Sequence, residues 1–240
     1  MMHAHRLTQP SGKAIEQRSI EHWFDALASL AGLLLLSPVL TAIAVAIKLS
    51  DGGPVLYRQR RIGREFQPFV VYKFRTMIPG ADGLGAGITA AGDPRVTPLG
   101  RTLRRYKLDE LPQLWNVVRG DMALVGPRPE VPEFAESFRA LYGPLLTVRP
   151  GITDPGTIAF SNEEELLSGP HSLEIYAEEV LPRKLGLSLE YFKRRTWKSD
   201  LGVLFRTLKN VFLSPRAKAA AMGRSLLVTE VETPLRRQLP

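Results

Sequence analysis

Asp109 and Glu110 stand side by side behind three bases, Arg104, Arg105 and Lys107, in the stretch GRTLRRYKLDELPQLWNVVRGDMALVGPRPE from Gly100 to Glu130. Neighbours on a regular helix point about 100° apart, so as helical neighbours the two carboxylates would not meet one atom. At a helix start they can, because the cap residue is non-helical and its side chain folds over the first turn. The sequence predicts such a start: Asp109 as cap, then a helix from Glu110 to Val118 with Pro112 in the first turn, where a missing N–H matters little. Leu111, Leu114, Trp115 and Val118 recur at helical spacing and are expected to face the core. A helix start offers free N–H groups to phosphate. With the nearby bases and a divalent cation, Mg²⁺ held by Asp109 and Glu110, the pair would suit phosphate chemistry. The alternative is that Asp109 only caps and Glu110 is an exposed first-turn acid. Further on, Pro127 and Pro129 enclose Arg128. Prolines fix φ and stiffen the turn, and the planar guanidinium suits phosphate; a stiff turn can equally be structural.

The totals narrow the partners. The chain has 240 residues, a formal charge of +8 and no cysteine, with a pI of about 9.9. Disulfides and thiolate zinc sites are therefore out, and His3, His5, His22 and His171 show no metal-ligand spacing. The positive balance suits a polyanion: nucleic acid, anionic lipid or a diphosphate substrate.

Three elements must position these residues. Ala26 to Ile47 carries no charge. As a straight helix it would be roughly 33 Å long, enough for a bilayer core of about 30 Å. Ser37-Pro38 interrupts it at the middle, and bases flank both ends: Lys13 and Arg18 before, Lys48, Arg58, Arg60, Arg61 and Arg64 after. Basic flanks prefer the cytoplasm, so a helix that bends at Ser37-Pro38 and returns to its side of entry competes with a straight span and with a buried helix. Residues 1 to 20 carry no core pattern and no secretory cleavage signal. Val55 to Tyr57 and Phe69 to Tyr72 read as a strand pair joined by Arg58 to Pro68, whose arginines would touch lipid phosphates or simply be solvated. The glycine-rich run from Pro79 to Pro94 lacks a P-loop lysine and reads as a mobile loop. Leu99 to Tyr106 is a short basic helix, Ala123 to Val125 a short strand, Val148 to Thr153 a turn. Helices are expected over Pro132 to Leu146, Asn162 to Leu167, Glu174 to Val180 and Ser188 to Arg195. Leu201 to Phe212 is amphipathic, fit to pack on the core or lie in the membrane interface.

Taken together, the motifs resemble the bacterial sugar transferases, the monotopic polyprenyl-phosphate phosphoglycosyl transferases. The likeness runs from about Phe24 to Phe212. It rests on the apolar helix with Ser37-Pro38, Tyr72-Lys73-Phe74-Arg75-Thr76-Met77, Asp93-Pro94-Arg95-Val96-Thr97, Leu108-Asp109-Glu110-Leu111-Pro112-Gln113, Gly120-Asp121-Met122, Val125-Gly126-Pro127-Arg128-Pro129 and Arg149-Pro150-Gly151-Ile152-Thr153, in that order. The resemblance implies a mixed α/β, helix-rich fold: a re-entrant membrane hairpin bent at Ser37 and Pro38, and a cytoplasmic globular domain with short strands and interfacial amphipathic helices. The expected division is a flexible N-terminus 1–20, a re-entrant helix 21–50, a catalytic domain 51–215 and a tail 216–240, at a bacterial inner membrane with the catalytic domain facing the cytoplasm. By the same resemblance Asp109 attacks the sugar-linked phosphate of a UDP-sugar and releases UMP. Polyprenyl phosphate then takes the phosphosugar, an early membrane step of glycoconjugate assembly such as exopolysaccharide. Mg²⁺ is the implied cofactor, with Asp109 and Glu110 as its ligands, Glu110 being alternatively a catalytic acid–base group. Lys73, Arg104 and Arg128, with Pro127 and Pro129 framing the last, are implied around the phosphates. Partners are a UDP-sugar, polyprenyl phosphate and anionic inner-leaflet lipid, with a homodimer left open and no nucleic acid.

The sequence departs from the commonest family form in two places. Gly-Ile-Thr is followed by Asp154-Pro155-Gly156-Thr157 and then Asn162-Glu163-Glu164-Glu165, which leaves the sugar open. Ser188 stands where a family aspartate is expected, with Glu190 as a speculative substitute. With no long multi-span N-terminal half, the chain reads as a small catalytic form. Two other classes compete: a membrane-anchored basic binding module without turnover, and a glycosyltransferase that releases UDP.

Overall fold

A computed structural model describes residues 12–84, 89, 92–167 and 171–212. The expected C-terminal tail, the centre of the glycine-rich loop and residues 1–11 lie outside the described residues.

The chain opens with two helices, α1 (Gly12–Leu35) and α2 (Ser37–Asp51). Helix α1 begins at Gly12, so residues 12–20, expected to lack order, extend it. The two helices meet at a bend of 63°. Its cause is local. Pro38 has no N–H to give the carbonyl of Leu34, one helical turn back, and the Ser37 hydroxyl donates to that carbonyl instead, at 2.8 Å. The Leu34 carbonyl is therefore not left stranded at the break. Among the described residues no single helix is long and apolar enough to cross a membrane, whereas this bent pair qualifies by length and composition. Its outer surface shows Leu27, Leu34, Leu35 and Leu49, all more than half exposed. Its inner surface packs on the rest of the chain: Gly32 meets Leu114, and Ile43 and Ile47 cluster with Phe74, Leu103 and Leu108.

The first sheet is a hairpin of β1 (Leu56–Ile62) and β2 (Pro68–Phe74), antiparallel with Leu56 opposite Phe74 and Ile62 opposite Pro68. Arg58, Arg60 and Arg61, expected in the connection, lie on β1 itself; the true turn is shorter and carries Glu65 and Phe66 at positive φ. Helix α3 (Pro98–Arg105) is capped by the Thr97 hydroxyl, which accepts the Gly100 N–H at 2.9 Å. A Cβ on Gly100 would sit 2.7 Å from the Thr76 carbonyl carbon, so only glycine lets α3 press on the strand end.

Helix α4 (Gln113–Val118) starts later than expected. Its buried face is also different: Gln113, Asn116 and Val117 point inward, while Trp115 is 48% exposed. The reason is polar. Asn116 gives its amide to the Val70 carbonyl at 2.7 Å and accepts the Tyr72 N–H at 3.1 Å, stitching α4 to β2. Apolar periodicity does not see such a bond.

Strand β3 (Ala123–Val125) pairs in parallel with β4 (Gly151–Thr153), which the sequence reading had as a turn. Between them run α5 (Pro132–Ser137) and α6 (Arg139–Leu145), two helices broken at Phe138 where one was expected. Then come α7 (Pro155–Ala159), α8 (Glu163–Leu166), α9 (Ser172–Ile175), a π-turn at Tyr176–Val180, α10 (Leu181–Lys193) and α11 (Trp197–Phe212). Tyr142, Leu145, Leu146, Leu167, Leu181 and Leu185 form the main core among them. Helix α11 buries Val203 and leaves Trp197, Leu201, Phe205 and Leu208 exposed.

Close backbone approach holds the second sheet. A Cβ on Gly126 would lie 2.6 Å from both the Arg149 carbonyl oxygen and the Gly151 nitrogen. Gly126→Ala is expected to destabilise the fold by about 1–3 kcal/mol through overpacking, read as a lower midpoint in urea at unchanged slope. An unchanged midpoint would show that the strands can part without cost.

Candidate active site

Asp109 sits in a 3-10 turn, Leu108–Glu110, between α3 and α4. Lys107, just before it, is left-handed at φ 55°, a conformation costly for any residue with a Cβ. Asp109 caps no helix: Pro112 holds the start of α4 and no side chain caps it. The capping role expected from the sequence is replaced by burial. Asp109 is 7% exposed, and its Oδ1 has no hydrogen-bond partner. A buried carboxylate oxygen left unsatisfied is costly, so another role has to be sought for it.

Glu110 is its opposite. Its oxygens meet the Arg128 guanidinium as a fork, one pairing at 3.2 Å and the other shorter, and Lys73 Nζ approaches Oε1 at 3.2 Å. The Arg128 fork comes from the turn after β3. Pro127 and Pro129 are buried beneath it, and the Pro127 carbonyl accepts the Gly151 N–H at 3.0 Å. The prolines thus aim Arg128 and do not themselves line the cavity. Lys73 comes from β2. Two residues on, Arg75 pairs with Asp51 at the end of α2 and donates to the Pro54 carbonyl at 2.6 Å. Leu108 packs on the α2 cluster. The strand and the turn that carry Lys73 and Asp109 are thereby fixed to the apolar helix pair. Arg104 on α3 donates to Thr76 Oγ1 at 2.9 Å and to Glu164 at 2.8 Å.

Asp109, Glu110, Lys73, Arg104 and Arg128 all border one cavity of about 2020 Å³. That exceeds the roughly 300–1,000 Å³ of a pocket for one small ligand, leaving room for two substrates. Ser37 and Pro38 lie at the helix bend and take no part in it.

The electrostatics separate the two acids. Burial, then the charge of Glu110, raises Asp109, against Lys73, Lys107 and Arg104. Burial works to raise Glu110 as well, but Arg128 and Lys73 outweigh it and hold the carboxyl well below its usual range. Glu110 in turn raises Arg128. Burial lowers Lys73, with the nearby carboxylates opposing. Neighbouring carboxylates pushed in opposite directions are a functional signature.

Among the described residues no three His, Asp or Glu side chains form a metal cluster. Mg²⁺ does not need one: one or two carboxylates plus substrate phosphates suffice. The unpartnered Oδ1 of Asp109 fits that demand. Glu110, with both oxygens on cations, does not offer it in this arrangement.

The far wall carries a second set of polar residues, of which the sequence singled out Asp154, Glu163 and Ser188 without bringing them together and did not single out Glu130, Tyr176 or Lys184. Arg61 pairs with Glu130 at 2.6 Å, and Tyr176 donates to the same carboxylate. Lys184 pairs with Glu163. Ser188 donates to Asp154 and bonds the Lys184 carbonyl at 3.0 Å, while Asp154 caps α7 by accepting the Thr157 N–H at 2.7 Å. Glu190, offered as a stand-in for Ser188, is exposed and borders no part of the cavity.

The cleft thus holds a buried aspartate among cations and stands on a bent apolar helix pair. The chain belongs to the bacterial sugar transferase family, whose model matches residues 16–214. It is 37% identical to the undecaprenyl-phosphate glucose phosphotransferase of Komagataeibacter xylinus, over 85% of this chain and 39% of that protein. It is 38% identical to the UDP-glucose:undecaprenyl-phosphate glucose-1-phosphate transferase of Escherichia coli (strain K12), over 77% of this chain and 38% of that protein. It is also 36% identical to the exopolysaccharide production protein ExoY of Rhizobium meliloti (strain 1021), over 80% of this chain and 84% of that protein. The chain thus spans about two-fifths of the length of the first two relatives.

Proposed function

We propose that this chain transfers a phosphosugar from a UDP-sugar to polyprenyl phosphate, giving polyprenyl-diphosphate-sugar and UMP. The observation that carries the reading is the buried Asp109 carboxylate with an unpartnered oxygen, in one cavity with Arg128, Lys73 and Arg104. Asp109 attacks the sugar-linked phosphorus of the donor. The P–O bond to UMP breaks, and UMP carries that electron pair away. The phosphosugar is then held on Asp109 as an acyl phosphate. An oxygen of polyprenyl phosphate attacks the same phosphorus, and the P–O bond to Asp109 breaks, restoring the carboxylate. One anhydride is exchanged for another, so the covalent step divides a nearly balanced reaction into two accessible halves. Arg128, Lys73 and Arg104 offset the charge gathered at the attacked diphosphate. Mg²⁺, when bound by Asp109 and the donor's phosphates, would neutralise further charge there. An assay of membranes with UDP-sugars and polyprenyl phosphate tests the reading: UMP release supports it, and UDP as the released nucleotide refutes it.

The bent helix pair supports re-entry into one leaflet, with anionic lipid at its basic flanks. Its inner face packs on the domain that carries the site, which supports a reading with both ends on the cytoplasmic side, level with the headgroup phosphate of the acceptor. Single cysteines at His22 and Gly52 are expected to react with an impermeant reagent from the cytoplasmic side only. Reaction of the two from opposite sides would refute re-entry.

A further inference from the structure

The far wall of the cavity has a construction that the phosphate chemistry does not use. Lys184 is 7% exposed, yet it borders the cavity. Its ammonium pairs with Glu163 and lies 5.6 Å from the centre of the Tyr176 ring. Burying a lysine is costly and needs a reason. The scaffold behind it is specific. A Cβ on Gly156 would sit 2.7 Å from the Lys184 carbonyl, so α7 presses directly on α10 at this residue. Asp154 locks the contact from one helix and Ser188 from the other. What they hold in place is a lysine and a glutamate facing the cleft.

On the near side, Arg104 bonds Glu164, next to Glu163. The charge of Glu163 also reaches Arg128. The pair therefore lies beside the phosphate-binding cations without pairing with them, where the sugar of a donor anchored by its diphosphate would fall. Thr157, whose buried Oγ1 has no partner, borders the same cavity.

We infer that Lys184 and Glu163 are the residues that select the donor's sugar, an ammonium and a carboxylate reading two neighbouring ring hydroxyls of a hexose. This rests on the phosphosugar transfer proposed above. Glu163 accepts from one hydroxyl and Lys184 donates to the next. A sugar with the hydroxyls differently placed forms only one of these two bonds, which is how hydrogen-bonding sites discriminate.

The test measures UMP release with UDP-glucose, UDP-galactose, UDP-N-acetylglucosamine and UDP-N-acetylgalactosamine, for the full chain in membranes and for Glu163→Gln and Lys184→Met. The expected result is that the ratio of kcat/KM between the best and the next sugar changes by about tenfold or more in both variants. Glu163 is only partly buried, so Glu163→Gln keeps the test open if Lys184→Met folds poorly. A ratio unchanged in Glu163→Gln, or activity lost alike for every sugar, overturns the inference and leaves the transfer reaction standing. An unaltered chain that releases no UMP from any of the four strikes the transfer reaction itself.

Discussion

Asp109→Asn is expected to stop UMP release and, at the same time, to make the protein more stable. The activity loss should be at least about 10³-fold, the scale seen when a nucleophile is removed. Asparagine keeps the shape but cannot attack phosphorus. The stability gain follows from linkage. The Asp109 carboxyl is raised above its ordinary value, by burial first and by Glu110 second. A group so raised binds its proton more tightly when folded. Its stabilising contribution is full below the unfolded value and is lost as pH rises through the folded one. At neutral pH the ionised Asp109 thus weakens the fold, and a neutral isostere removes the penalty. Thermal unfolding at pH 7 should give a higher midpoint for Asp109→Asn, and the gap should close on acidification, where the unaltered residue becomes neutral too. In the same way kcat/KM should fall on acidification at a higher pH than an exposed aspartate would give, since it reports the free enzyme. Full turnover by Asp109→Asn would exclude the nucleophile role, and a lower midpoint would show that the carboxylate is a structural anchor. Loss of activity with gain of stability is the mark of a functional group kept in an unfavourable place.

How far such a site can be read from sequence differs residue by residue. Asp109, Glu110 and Arg128 stood out by residue type and setting, Lys73 and the phosphate role of Arg104 came from the family resemblance, and the structure gathers all five around one cavity. Their local geometry was not legible. Asp109 in front of an apolar helical pattern satisfies every rule for a cap, and only the left-handed backbone of Lys107 defeats it; lysine gives no hint of positive φ. The bend at Ser37-Pro38 was legible because proline acts locally. Strand β4 was not, because Gly151-Ile152-Thr153 becomes a strand only by lying against β3, 25 or more residues away. Trp115 was placed inside by its apolarity, whereas the orientation of α4 is set by Asn116 bonding the backbone of β2. Local signals survive into the fold except where long-range bonding to the backbone overrides them.

Glu110→Gln is expected to separate binding from catalysis. In the free chain Glu110 is the counter-charge of Arg128 and Lys73. Removing one partner of a buried pair leaves uncompensated charge, at a cost of about 3 kcal/mol, lessened here by the partial exposure of both cations. The unliganded variant should therefore unfold at a lower temperature. The cations so released are the ones assigned to the donor's phosphates, and without Glu110 they meet a diphosphate with no competitor. UDP should accordingly raise the unfolding midpoint of Glu110→Gln by more than it raises that of the unaltered chain, since ligand stabilisation grows with affinity. Turnover should fall nonetheless, because tighter binding of the donor's ground state does nothing for the step at phosphorus and Arg128 loses the carboxylate that orients it. If UDP stabilises both proteins equally, Arg128 and Lys73 do not bind the diphosphate, and Glu110 holds them for structure alone. A larger UDP shift with reduced turnover would make Glu110 the group that keeps the phosphate cations in place, and neutralised, until the donor arrives.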